Sequence, residues 1–80
     1  MKVRELMSKL STFNQDLEVL CYSEDPNILP KKHGFILLEI NDVDLKEAEK
    51  TRCEDGIPSF RFDKMEDSKP HVLIGVTTDF

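Results

Sequence analysis

Apolar residues at Val3, Leu6, Met7 and Leu10 recur at i, i+3, i+4 and i+7, the stripe of a short amphipathic helix. Lys2, Arg4, Glu5, Ser8 and Lys9 fall on its other sides, and Phe13 continues the stripe beneath a turn. The polar residues 11–16 end the helix, because Ser, Asn and Asp side chains compete for backbone hydrogen bonds. From 17 to 22 the period changes to two. Leu17, Val19 and Cys21 share one strand face, and Glu18, Leu20 and Tyr22 share the other. Residues 23–27 read as a loop, and Pro30 closes a short apolar excursion at Ile28 and Leu29. The near-continuous apolar run 35–40 predicts a central strand with both faces covered. After a polar loop over 64–70, residues 72–77 form the last strand, with Val72, Ile74 and Val76 on one face. Gly75, on the opposite face, marks a close approach by the helix or a bulge.

Residues 41–52 carry two opposed signals. Asp44 and Glu47 have capping-box spacing, and residues 46–50 are good helix formers. Against this, Asp55-Gly56 is a favoured hairpin turn, followed by the alternating Pro58-Ser59-Phe60-Arg61-Phe62, and a hairpin needs an incoming strand ending near Cys53. The balance leans to strand, with a second short helix at 42–52 as the alternative. The architecture expected is α+β over a single domain, residues 1–80. One N-terminal helix packs on a mainly antiparallel sheet of four to five strands. Leu6 and Leu20 are expected in the core, where truncation to alanine costs roughly 2–5 kcal/mol.

Composition narrows the function classes. With 16 acidic and 11 basic residues the formal charge is −5, and the longest basic run is Lys31-Lys32. Phosphate backbones select a clustered basic face, so nucleic acid is not the expected partner. No apolar stretch nears the roughly 20 residues that cross a bilayer. The first residues lead into an amphipathic pattern rather than the apolar run of a signal peptide, so a cytoplasmic location is expected. In that reducing setting Cys21 and Cys53 are expected as two free thiols, Cys21 as a small core hydrophobe and Cys53 exposed.

The opening Met1-Lys2-Val3-Arg4-Glu5-Leu6, then Leu10, then Asp16-Leu17-Glu18-Val19, resembles a group of short uncharacterised proteins of bacteria and their phages that open M-x-V-x-E-L. Asp55-Gly56-Ile57-Pro58-Ser59, His71-Val72-Leu73-Ile74 and Thr78-Asp79-Phe80 are similar to members of that group over the later chain. These are positions of a helix stripe, a turn and a strand face. The resemblance therefore implies a fold and a phage or mobile-element setting, and no activity.

Constellations that could carry chemistry are thin. Cys21, His33, Cys53 and His71 are four candidate zinc ligands, but they lie 12, 20 and 18 residues apart, without the short paired spacing of a zinc module. Asn41-Asp42-Val43-Asp44 opens like a calcium loop, yet the sixth position, which must be glycine, is Lys46 or Glu47. No nucleophile elbow accompanies either histidine, and the three glycines are isolated at 34, 56 and 75, so no phosphate loop exists. No catalytic residue, cofactor or metal is assigned. The Thr78-Asp79-Phe80 tail fits capture in a carboxylate-binding groove, but a terminal core plug is the plainer reading.

The function expected is that of a non-enzymatic binding or modulator protein acting through protein–protein contact. The alternative is a small enzyme or metal-dependent accessory subunit. The candidate interaction residues are the acidic pair Asp42 and Asp44, for a partner with a basic patch, and the apolar pair Leu20 and Tyr22. Glu24, Asp25, Glu54, Asp55, Glu66 and Asp67 add acidity in expected loops. One helix cannot cover two apolar sheet faces, so the excess is expected to pack on a partner, on a second copy, or under residues 41–52 if those are helical.

Overall fold

Five elements follow one another in this computed structural model, which describes residues 1–62, 66 and 68–80. They are α1 (Val3–Leu10), β1 (Leu20–Ser23), β2 (Ile36–Arg52), β3 (Pro58–Arg61) and β4 (Lys69–Thr77). The class is α+β, with one short N-terminal helix and a four-stranded antiparallel sheet. In that sheet β2 pairs with β1, β3 and β4. As a whole β2 is central, but the covered faces expected for residues 35–40 are not found, since Phe35 and Leu37 are 57% and 38% exposed. The chain divides into two compact units, one of residues 1–42 and 75–80, the other of residues 43–74.

In the first unit, α1 is capped by Lys2, whose N–H donates to the Glu5 carboxylate at 3.4 Å. This is half of a capping box, since a lysine side chain has no acceptor to return. At the other end the Ser11 and Thr12 hydroxyls donate to the carbonyls of Ser8 and Lys9, both at 2.8 Å, and the Lys9 carbonyl also accepts from the Thr12 N–H at 3.4 Å. The helix bounds match the apolar stripe, but the stripe itself is not buried. Leu6 is half-buried, while Val3, Met7, Leu10 and Phe13 are exposed. β1 pairs antiparallel with the start of β2, setting Leu20 opposite Glu39, Cys21 opposite Leu38, and Tyr22 opposite Leu37. β1 begins later than expected, so Leu17, Glu18 and Val19 lie outside it.

The helix alternative for 42–52 is overturned, because β2 runs unbroken to Arg52. In the second unit its end pairs with β3, setting Glu49 opposite Arg61 and Lys50 opposite Phe60. Helix propensities differ by only tenths of a kcal/mol per residue, less than a ladder and its cross-strand pairs supply. The turn that forms this hairpin is made by Gly56. Its N–H donates to the Cys53 carbonyl at 2.8 Å, the Cys53 N–H donates to the Ile57 carbonyl at 2.8 Å, and Gly56 has φ +84°. A three-residue loop closed this way, with glycine in the left-handed region, is the type I turn with a G1 bulge. Asp55 holds it by accepting from the Ile57 N–H at 3.1 Å.

Three further expectations change. β4 begins at Lys69, so Lys69 and Pro70 belong to a strand rather than to the polar loop; Lys64, Met65 and Asp67 of that loop lie outside the described residues. The close approach at Gly75 is made by β2 and not by the helix, since a Cβ there would lie 3.0 Å from Asn41 Oδ1 and 3.5 Å from Asp42 Cβ. Leu20, expected in the core, is 40% exposed. Its truncation to alanine should cost only about 1 kcal/mol, in proportion to the area it removes from water. Among the described residues the one buried apolar side chain is Ala48 of β2, at 0% exposure.

Candidate interaction surface

The four residues singled out from the sequence fall on two strands. Leu20 and Tyr22 share one face of β1, at 40% and 66% exposure, and the cross-strand neighbour of Tyr22, Leu37, is exposed as well. This places three apolar side chains together on one side of the β1–β2 pair. A hollow of about 350 Å³ in the same unit is lined in part by Leu10, Phe13, Leu17, Val19 and Leu20. The segment following α1 is shaped locally. Asn14 Oδ1 accepts from the Asp16 N–H at 2.9 Å, and the Gln15 amide donates to the Leu10 and Phe13 carbonyls at 3.3 and 3.0 Å.

Asp42 and Asp44 are exposed, but both belong to β2 and neither to a loop or turn. Residues 41–44, whose opening resembles a calcium loop but lacks its glycine, are extended strand, in which successive side chains point to opposite faces. Asp44 is engaged locally: Oδ1 accepts from the Leu45 N–H at 2.8 Å and Oδ2 lies 3.2 Å from Lys46 Nζ. The Leu45 amide first, then the hydrogen bond and charge of Lys46, hold its carboxyl below the usual aspartate range. A depressed folded pKa means that the Asp44 contribution to stability is present above its unfolded pKa and is lost as pH falls through the folded one. A carboxyl-detected NMR titration should place its midpoint below that of a model aspartate. Lys46→Ala should raise that midpoint only part-way, since the Leu45 amide stays in place.

The cysteines and histidines serve no common centre. Cys21 is half-buried on β1, Cys53 is exposed at the β2–β3 turn, and both thiols are free. His33 is exposed in a loop. His71, on β4, is held by its Nδ1 against the Lys69 carbonyl at 2.9 Å and by its ring against Phe60, at 5.4 Å between centroids. A carbonyl only accepts, so Nδ1 carries the proton. Among the described residues no three His, Cys, Asp or Glu side chains are grouped to hold a metal ion. Under native conditions alkylation should label Cys53 faster than Cys21, with both labelled once the chain is unfolded. Equal native rates would contradict the burial of Cys21.

The second unit holds an open groove of about 710 Å³ between Lys50 and Arg52 on β2, Pro58 and Phe60 on β3, and Leu73 on β4. Arg52 Nη1 donates to the Gly56 carbonyl at 2.7 Å, so its guanidinium is tied to the turn. No protein-family model matches the chain, and no curated protein or solved structure does either. Among the described residues no helix is long and apolar enough to cross a membrane.

The sequence reasoning missed which side of β4 faces solvent. Val72, Ile74 and Val76 are exposed, while His71, Leu73, Gly75 and Thr77 are half-buried. The signal was present at Gly75. A residue without a side chain on one face marks the face where the chain approaches itself, which leaves the valine and isoleucine face outward.

Proposed function

We propose that this protein is a non-enzymatic binding module that acts through protein–protein contact in the cytoplasm. The observation that carries the reading is the extent of apolar surface left in water. Twenty large apolar side chains are exposed among the described residues, and the only buried one is a methyl group. Single exposed apolar side chains are normal, but a surface this rich in them marks interaction sites. The Leu20, Tyr22 and Leu37 cluster is the contact face, with the acidic residues Asp42 and Asp44 favouring a partner with a basic patch. The resemblance to short bacterial and phage proteins makes an accessory role in a phage or mobile element the natural setting.

The test compares wild-type protein with Tyr22→Lys and with an Asp42→Asn/Asp44→Asn double variant, using tagged full-length chain and native lysate. A specific partner should be recovered at equal ratio with wild type and lost with Tyr22→Lys. The double variant should slow association while leaving the urea melt nearly unchanged. Association should also slow as salt shortens the Debye length from about 14 to 6 Å. Equal capture by wild type and Tyr22→Lys would remove the β1 face from the proposal. A salt-independent on-rate would remove the acidic one.

A further inference from the structure

We infer that a second copy of this chain covers β4, the two strands pairing edge to edge in antiparallel fashion about a two-fold axis. This surface and this partner differ from the β1 face assigned above. The first support is area. The chain exposes 7426 Å². A compact monomer of its mass would expose about 5,000 Å², and even two separate compact bodies of half that mass about 6,000 Å². The excess over either figure exceeds the roughly 800 Å² per partner that a standard stable interface buries. The chain therefore holds enough open surface for a dimer contact.

The second support is the strand itself. Among the described residues β4 has β2 as its one sheet neighbour, so no other described strand takes up the backbone donors and acceptors of its far edge. Natural edge strands are blunted by charge, proline or a bulge. Here Lys69 and Pro70 stand only at the start, and residues 70–78 form the longest stretch of the chain without Asp, Glu, Lys or Arg. In a protein of charge −5, this is where two identical edges can meet without facing like charges. Val72 and Ile74, 48% and 41% exposed, lie on one face of the strand. Directly opposed residues of an antiparallel pair share a face. A register that sets Val72 and Ile74 against the same residues of the second copy thus joins the two apolar stripes into one surface, whereas a one-residue slip puts them on opposite faces.

Sedimentation of the full-length chain at rising concentration reads the mass. The wild type should reach twice the chain mass. Ile74→Lys, with unchanged far-UV circular dichroism, should weaken self-association by roughly a hundredfold or more, because it buries an unpaired charge. In a wild-type dimer mixed from labelled and unlabelled chains, isotope-filtered NOEs should connect Val72 and Ile74 across the interface, which locates it even if the variant fails to fold. A single-chain mass at every concentration overturns the inference. In that case strong ANS fluorescence would leave the apolar-surface reading of function standing, and silence would remove both. A dimer whose intermolecular NOEs involve Leu20 and Tyr22 instead of β4 also overturns it.

Discussion

Ala48→Leu should destabilise the protein by roughly 1–3 kcal/mol, the cost of forcing extra methylenes into a filled site. Ala48 is the one fully covered apolar side chain among the described residues. It shares a face of β2 with Lys50, which stands opposite Phe60, and Phe62 follows just past the end of β3. Those two rings meet edge to face at 5.9 Å, and Phe60 also lies against His71 of β4. Two-state urea melts measure the effect, with Leu20→Ala as the reference for a partly exposed site. A shift smaller than that of Leu20→Ala would mean that the Ala48 site yields readily. Ala48→Ser, of nearly the same volume but with a hydroxyl, should fall between the two.

Gly56→Ala should cost about 1–2 kcal/mol, wholly through the backbone. A Cβ at position 56 meets nothing within 4 Å, so no clash contributes, but the φ of +84° is one that L-residues rarely adopt. Gly34 supplies the control, since a Cβ there also meets nothing within 4 Å and its φ is not positive. Gly34→Ala should be neutral or stabilise by up to about 1 kcal/mol, by reducing the entropy of the unfolded chain. The same chemical change at two equally open sites thus separates backbone strain from packing. Gly56→Asn should cost less than Gly56→Ala, because asparagine visits the left-handed region more readily. If the two alanine variants melt alike, the G1-bulge geometry of the β2–β3 turn is not maintained in solution.

The candidate surface was legible in part. Leu20 and Tyr22 were placed on one strand face by period-two alternation, and that face is open. Asp42 and Asp44 stand in the segment whose local signals were divided between strand and helix; they lie within β2. What hid this was the length of β2. Its apolar first half and its charged second half look like two elements, and only the pairing of the second half with β3 makes them one.

By itself the sequence determined what is local. The i, i+3, i+4, i+7 stripe specified a helix whose observed bounds are Val3–Leu10, and Asp55-Gly56 specified the hairpin turn. Each depends on interactions within a few residues, which composition and spacing record directly. Only the tertiary structure decided the state of residues 41–52, where small helix preferences gave way to strand pairing, the last four residues with β3. It also decided which faces are covered. Alternation says that Val72 and Ile74 share a side, but whether that side meets the chain or the solvent depends on what lies across from Gly75, where a Cβ would stand 3.0 Å from Asn41 Oδ1 of β2. Burial is a property of two surfaces meeting, and a linear pattern describes only one of them.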